Sequence, residues 1–598
     1  MARTRYLSHE VIREDRPDGS ILLRSAHGLG PVASRTTDWL HDWAERTPDA
    51  VFLAERDGEG WRKVTYTEAL TQVRAIAAGL LARGLGAETP ILIISGNGVD
   101  HGLLTLAAQY VGVPTVPVAE QYALIPEANR QLEHVTRLTH PRMVYAVDGD
   151  RFGAALNLPW FDGLERVVSV NVPEGTTAFA NLATVAGPDV DAANAMVGPD
   201  TLAKILMTSG STSSPKGVLT THRMMCTNQA QLAVCLPFLK RKPPRIVDWL
   251  PWNHVFGGSH NFNMMLANGG ALYIDDGKPM PALIGRTIEN QRLVTGTLAF
   301  NVPVGFAFLR DAMKQDADLR RSYFESLDLL FYAGASLPQD VWADLEAMAR
   351  EVRGEVPLFT SSWGLTETAP ACLIQHEPTN RSGVVGVPVP GVTIKLVPDE
   401  DMRCEVRVQG PTVTPGYFED PAKTAKSFDA EGYFITGDAM KFLDPSDMNK
   451  GMVFDGRISE DFKLLTGTWV RAANLRLDVL AHLGGLAADV IVTGADRNEI
   501  GVFIIPTASL RAHPDASENE GALIVPSEAA EIARRLKARA SEGSATRVTR
   551  ALILSEPPSV SDGEITAKGN LNFRKLLTRR AQFLDRLYDD DDPAAILI

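Results

Sequence analysis

Between residues 206 and 218 the chain reads Leu-Met-Thr-Ser-Gly-Ser-Thr-Ser-Ser-Pro-Lys-Gly-Val, hydroxyls and glycines around one lysine, directly after an apolar strand pattern. This is phosphate-loop chemistry. Small residues let backbone N–H groups approach phosphate oxygens, hydroxyls add donors, and a lysine supplies the compensating charge. Thr208, Ser209, Gly210, Ser211, Thr212 and Lys216 are the candidate ligands. Laid on G-x-x-x-x-G-K-[ST] from Gly210, the run puts Pro215 at the second glycine and Gly217 at the Mg²⁺-binding hydroxyl, so a P-loop NTPase is disfavoured. A Ser/Gly-rich surface linker does not explain the strand before it or the lysine set by Pro-Lys-Gly.

Further segments follow in order: Tyr332-Ala-Gly-Ala-Ser-Leu337, Trp363-Gly-Leu-Thr-Glu-Thr368, Tyr433-Phe-Ile-Thr-Gly-Asp438 and Asp455-Gly-Arg457. Taken singly each has an ordinary reading, with Asp438 as a helix cap, Glu367 as a surface charge and Trp363 as core. As an ordered set with Thr208–Gly217, the segments resemble the adenylate-forming superfamily of acyl- and aryl-CoA ligases, non-ribosomal adenylation domains and luciferases. The resemblance implies an ATP site in which Trp363, where Tyr is usual, stacks on adenine beside Gly364, and Thr366 contacts phosphate. It further implies Mg²⁺ held by Glu367 with Thr212, adenine and acyl group against Gly334, Ala335 and Ser336, and ribose on Asp438 and Arg457.

Pro251-Trp-Asn-His-Val-Phe-Gly-Gly258 resembles the family's P-x-x-H-x-x-G segment, whose histidine borders the acyl pocket; a satisfied core histidine is the alternative. The implied acid pocket draws on His254, Phe256, Asn261, Pro303 to Phe306, Tyr332 and Gly334. Gly456–Val470, Asp496–Gly501 and Glu564–Asn572 look like the bacterial feruloyl-CoA synthetase branch, which implies a hydroxycinnamate as the acid. One column departs from the family. Thr566-Ala-Lys-Gly-Asn570 puts asparagine where T-x-x-G-K carries the adenylation lysine, and Lys568 stands two residues earlier. In an extended segment that is the same face, about 6.6 Å away, so Lys568 is expected to take the role, with Lys463, or Lys216 and Mg²⁺, as the rivals.

The implied reaction has two halves, acyl-AMP formation from MgATP and transfer of the acyl group to coenzyme A, with the small domain rotating between them near Ser459. Lys463, Thr466, Gly467 and Trp469 would then line the pantetheine path. The rivals are an acyl-AMP enzyme that uses no CoA and a nucleotide-binding protein without chemistry.

The elements that must position these groups alternate in type. Thr65 or Thr67 can cap a helix with Leu70, Val73, Ala77, Leu80 and Leu81 at helical spacing, ended near Gly84. Ile91–Ile94, a helix over about 100–110 and the run Val113–Val118 then make a βαβ unit. Similar alternation predicts an α/β architecture with mostly parallel sheets over residues 1–457, the ATP- and acid-binding domain. Shorter elements predict a small, mobile α+β domain over 458–598. Residues 511–523 read as a surface loop and Asp589–Asp592 as the start of a frayed terminus.

At 598 residues the chain exceeds what one core fills. A net charge of −14 excludes general affinity for nucleic acid or anionic membrane, so an anionic ligand needs a local site. Cys226, Cys235, Cys372 and Cys404 show no C-x-x-C spacing, which fits a reducing cytosol and sets zinc aside. No run approaches the ~20 apolar residues that span a bilayer, and Met1–Glu10 carries no apolar signal core. The expectation is a cytoplasmic monomer or homodimer whose partners are a small-molecule acid, ATP and coenzyme A.

Overall fold

The computed structural model of the chain describes residues 6–183, 189–209, 215–334, 336–399, 401–539, 543, 545–559, 562–565 and 571–598. Gly210, Ser211, Thr212, Ala335 and Lys568 lie outside the described residues, and Ser209 is described by its backbone alone. The chain divides into two compact units. One takes in residues up to Pro398, Val406–Thr436 and Phe442–Val453; the other takes in Asp399–Glu405, Gly437–Lys441 and Phe454–Ile598. Asp438 and Arg457, expected in the N-terminal domain, therefore fall in the second unit, and the chain crosses between units within three of its strands.

In the first unit the helix Tyr66–Ala82 starts where its sequence dictates. Thr65 Oγ1 accepts from Glu68 N–H while the Glu68 carboxylate accepts from Thr65 N–H, satisfying two of the orphan donors of the first turn. The strand Ile91–Ile93, helix Val99–Tyr110 and strand Thr115–Pro117 form the βαβ unit, with the two strands parallel. They sit in a seven-stranded sheet in the order 215–221, 202–209, 115–117, 91–93, 143–148, 165–170, 177–178. Every pairing in it is parallel except the edge pair Leu202–Ser209 with Pro215–Thr221, so the candidate phosphate loop joins two antiparallel neighbours. A parallel three-stranded sheet, Leu298–Asn301, Leu329–Tyr332 and Leu358–Thr360, carries the acid-side candidates.

The α/β expectation omits one feature, a nine-stranded sheet that includes Val11–Asp15, Ile21–Ser25, Ser362–Gly364, Ala371–Ile374 and Val384–Pro388. Its described pairings are antiparallel. All four cysteines are free and buried. Among the described residues no helix is long and apolar enough to cross a membrane.

The second unit is built on the strands Ala487–Thr493, Ile500–Pro506, Val548–Leu554, Ala522–Ile524 and Ser517–Asn519, with helices Ala472–Leu483, Pro526–Ala538, Phe573–Arg579 and Ala581–Leu587. Two expectations are corrected. Residues 511–523 are not a plain loop, because Ser517–Asn519 and Ala522–Ile524 pair as a hairpin around Glu520 and Gly521, both at positive φ. The terminus is not frayed either: Arg586 pairs with Asp592, the Asp592 carboxylate accepts from Ala594 N–H, and Ile596–Leu597 adds a strand against Val548–Leu554. The strands are only two or three residues long, too short to show the alternation by which a sequence reveals a strand.

Just before the segment that contains Lys568, the Glu564 carboxylate is fully buried and is gripped by both ends of the Arg580 guanidinium at 2.9 and 2.8 Å, by Arg579 at 3.0 Å and by Ser559 N–H. Burial alone would raise its pKa, but these partners more than offset that and hold it below the ordinary 4.5. Glu564→Ala leaves Arg580 buried without its partner and is expected to cost ~3–5 kcal/mol, read from the thermal unfolding of the second unit. Because the folded-state pKa is depressed, the ionic part of the wild-type advantage over Glu564→Ala is expected to be full above about pH 4.5 and to be lost as pH falls through the folded value.

Candidate active site

Lys216 stands opposite Thr208 in the antiparallel pair that flanks the phosphate loop. Residues 414–418 run along the far side of the Lys216 strand. Leu219 N–H donates to Gly416 O at 3.1 Å, Phe418 N–H to Gly217 O at 2.8 Å, and Thr414 Oγ1 to Leu219 O at 2.7 Å. The approach is closest at Gly217, where a Cβ would lie 2.6 Å from Ile205 Cγ2 and 3.3 Å from Phe418 Cβ. This alignment sets Tyr417 beside Lys216. The ammonium lies 4.0 Å from the ring centroid and donates to the phenol oxygen at 2.7 Å. The phenol donates in turn to Glu367 Oε1 at 2.8 Å, and Lys216 Nζ lies 3.5 Å from the same oxygen.

Glu367 sits in the short helical turn Thr366–Thr368 that follows the strand Ser362–Gly364. That turn is folded hard against its own continuation: a Cβ on Gly364 would fall 1.7 Å from Pro370 O, so only glycine fits. Thr414 N–H donates to Glu367 O at 2.8 Å, tying the turn to the segment that carries Tyr417. Burial and the adjacent carboxylate both raise the Tyr417 pKa, so the phenol keeps its proton at neutral pH and remains a donor. One cation, one carboxylate and one neutral hydroxyl thus share a few ångströms. Thr208 Oγ1 is buried nearby in sequence with no partner among the described residues.

A hard oxygen donor such as the Glu367 carboxylate suits Mg²⁺, which is ordinarily held by one or two carboxylates together with substrate phosphates. Among the described residues no cluster of three His, Cys, Asp or Glu could hold a metal ion. Trp363 is 7 % exposed and lies in the strand Ser362–Gly364, opposite Leu373. Gly334, at φ +88°, and Ser336 are exposed.

On the acid side, His254 is half-buried and its Nδ1 accepts from Phe256 N–H at 3.3 Å. Phe256–Asn261 is a π-helical turn. From it the Phe256 and His260 rings pack on Phe300 and Phe331, with centroids 5.2–6.1 Å apart. Asn261 does not face outward. Its amide donates to Asp248 at 3.0 Å and accepts from His260 at 2.9 Å, in a fully buried polar chain whose Asp248 carboxyl burial pushes up to about 7.

Tyr332 is corrected here. Successive strand side chains alternate, so Phe331 turns toward Phe256 whereas Tyr332 turns into the core with Phe306, Leu309 and Trp342, its hydroxyl accepting from Gly383 N–H. Phe306 is buried in that same core, and Pro303 opens the helix Pro303–Gln315 as its first residue.

In the second unit, Asp438 is buried and pairs with the half-exposed Arg457 at 3.3 Å. The intervening Asp455 is engaged by Arg403 at 2.8 Å and by Asn474 at 2.9 Å, while Arg403 also reaches Asp461 at 2.7 Å. Ser459 lies in the exposed helical turn Ile458–Glu460. Lys463 and Trp469 face each other across the hairpin Phe462–Val470, the ammonium 5.1 Å from the indole, and Gly467 turns its tip at φ +85°.

Tyr417 was absent from the sequence expectations. Its only signal is Thr-Pro-Gly-Tyr at 414–417, a glycine that lets two segments meet, here with φ +148° and a would-be Cβ 2.5 Å from Thr424. Tyr417→Phe removes the hydroxyl that hydrogen-bonds to both Lys216 and Glu367. It is expected to lower ATP-dependent turnover by about 10²-fold with little change in melting temperature, measured by pyrophosphate release and thermal denaturation. Lys216→Ala should lose at least as much.

Comparison with known proteins agrees with this geometry. A model of the family described as AMP-binding enzyme matches residues 40–418. The chain is 25% identical over 478 residues to 3-[(3aS,4S,7aS)-7a-methyl-1,5-dioxo-octahydro-1H-inden-4-yl]propanoyl:CoA ligase of Rhodococcus jostii (strain RHA1), covering 75% of this chain and 86% of that one. It is 25% identical over 487 residues to 4-coumarate--CoA ligase 2 of Oryza sativa subsp. japonica, covering 74% and 79%. The crystal structure of the anthranilate CoA ligase AuaEII with anthranoyl-AMP shares the fold, with a TM-score of 0.72 at 18% identity over 93% of this chain and 99% of that one. With the Lys216–Tyr417–Glu367 group inside the matched span, the chain belongs to the AMP-binding enzyme family.

Proposed function

We propose that the protein is an AMP-forming acid–CoA ligase acting on an aromatic carboxylic acid, with ferulate or another hydroxycinnamate as the leading candidate. The observation that carries the ligase reading is the Lys216–Tyr417–Glu367 group on the edge of the phosphate loop. The aromatic acid is favoured by the ring-lined wall of Phe256, Phe300 and Phe331 and by the likeness to a 4-coumarate ligase. The Rhodococcus relative, whose named acid is bicyclic and not aromatic, keeps a second reading in play: a ligase for another aryl or an aliphatic acid.

In this reading the acid's carboxylate oxygen attacks the α-phosphorus of ATP, the bond to pyrophosphate breaks, and acyl-AMP forms. The thiol sulfur of coenzyme A then attacks the acyl carbon, AMP leaves with the bonding pair, and the thiol proton passes to solvent. No protein nucleophile is needed, so catalysis is positioning and charge. Lys216 and the loop 208–212 bind phosphate, Tyr417 holds Lys216 and Glu367 in place through its hydroxyl, and Trp363, Gly334, Ala335 and Ser336 receive adenine. Asp438 and Arg457 take the ribose, His254 and Phe256 border the acid, and Lys568 supplies the adenylation charge. Glu367 and Thr212 would hold Mg²⁺, which when bound neutralises charge on the phosphates. Lys463, Gly467 and Trp469 serve the pantetheine arm, with Ser459 as the pivot, in a cytoplasmic enzyme.

Pyrophosphate release with MgATP is to be measured over ferulate, coumarate, caffeate, benzoate, phenylacetate and medium-chain fatty acids, each with and without CoA. Release with hydroxycinnamates and thioester only with CoA is the expected result. Release confined to fatty acids discards the aromatic reading, and acyl-AMP that never passes to CoA discards the ligase. Lys568→Ala is expected to lower pyrophosphate release by ~10²–10³; unchanged release would return that role to Lys463 or Lys216.

A further inference from the structure

Lys204 lies four residues before Thr208 in the strand Leu202–Ser209 and is 3% exposed. Its neighbours across the sheet are Thr115 and Thr220, whose hydroxyls have no partner among the described residues. A buried lysine without a counter-charge is costly and calls for a reason. Its ammonium donates to Gly258 O at 2.5 Å, inside the π-helical turn that follows His254. Gln229, from the helix His222–Cys235, donates to the next two carbonyls, Ser259 O at 3.4 Å and His260 O at 3.1 Å.

Three consecutive carbonyls of one turn are therefore held by side chains from two other elements. The turn itself is jammed against the chain behind it: a Cβ on Gly257 would lie 2.3 Å from Leu250 O, and one on Gly258 2.1 Å from Trp252 O. Phe262 N–H closes the wide turn on Gly257 O, and Gly258 N–H donates to His254 O at 2.9 Å. Lys204 thus reaches His254 and Phe256 through a single rigid turn.

We propose that Lys204 is a positioning residue whose charged ammonium fixes the π-helical turn, so that binding of the acid, and not of ATP, requires Lys204 to be protonated. The inference rests on the reading that His254 and Phe256 border the acid. Burial draws the Lys204 pKa down to about 8, within reach of mildly alkaline solutions. The titratable groups facing it are His101, from the helix Val99–Tyr110, and His222, which opens the helix His222–Cys235. Burial lowers both to about 4, so neither changes charge in that range.

Lys204→Met keeps the stem and removes the charge. Steady-state pyrophosphate release is followed from pH 6.5 to 9.5, varying ferulate or octanoate according to which the wild type turns over, and separately varying ATP. The wild-type KM for the acid should rise through about pH 8, by about tenfold at pH 9, where roughly a tenth of Lys204 stays charged, while KM for ATP moves less than about twofold. Lys204→Met should show the raised acid KM at every pH. A Lys204→Met enzyme that keeps the wild-type pH dependence, or in which both KM values rise together, overturns the proposal.

Thermal melts supply a readout that needs no substrate. Between about pH 8 and 10.5 the unfolded lysine keeps a proton that the folded one has released, so the wild type should gain stability relative to Lys204→Met as pH rises through that window. A constant difference would falsify the titration of Lys204. If no acid in the panel supports pyrophosphate release, the ligase reading fails separately, and the melts still judge Lys204.

Discussion

An acidic chain must gather positive charge at the one place where phosphate is to sit, and the first unit depends on how it does so. Lys216 lies 3.5 Å from the Glu367 carboxylate, within ion-pair distance. The Tyr417 phenol hydrogen-bonds to both, and the phenol is placed by main-chain hydrogen bonds between Gly217–Leu219 and residues 414–418. Those bonds form only because Gly217 has no side chain to collide with Ile205 and Phe418. A backbone contact between segments about 200 residues apart thus sets the electrostatics of the site. Lys216 remains hydrogen-bonded and partly exposed, its 3.5 Å pairing with Glu367 looser than its 2.7 Å contact with Tyr417, the partner a phosphate oxygen would replace.

The region proposed to take the acid is built on a different principle. Its wall is a stack of rings from the π-helical turn and the parallel strands Leu298–Asn301 and Leu329–Tyr332, and behind it the Asp248–Asn261–His260 chain fixes which way each polar group points. An apolar wall on a hydrogen-bonded polar backing, in which only His260 Nε2 of the three side chains has no partner among the described residues, resists a shift that would leave another buried group unpaired. The phosphate side can rearrange its donors; the acid side is held.

Much of this was legible in the sequence where local rules operate alone. The cap at Thr65, the βαβ unit through Ile91 and Val113, and the strand Leu329–Tyr332 follow from periodicity and from one hydroxyl answering one carboxylate. The order of the motifs led to the family. What stayed hidden depends on contacts between distant segments. Tyr417 carries no periodic signal, and which of Phe331 and Tyr332 faces the rings depends on strand direction, invisible in a four-residue apolar run. The hairpin at 517–524 and the terminal strand Ile596–Leu597 are too short for a strand period to show, and their partners lie elsewhere in the chain. The antiparallel sheet escaped notice for the same reason, and with it the assignment of Asp438 and Arg457 to the second unit.

The burial of all four cysteines gains weight once an activated acid is considered. An acyl adenylate is an electrophile that any thiolate can intercept, and thiolate, not thiol, is the reactive form. Burial raises the pKa of Cys226, and raises those of Cys235 and Cys372 to about 12, so each stays protonated as well as enclosed. A ligase built this way offers its intermediate no sulfur of its own. Acylation of the protein's own cysteines is disfavoured, and a thiol that arrives from solution meets no competing cysteine of the chain.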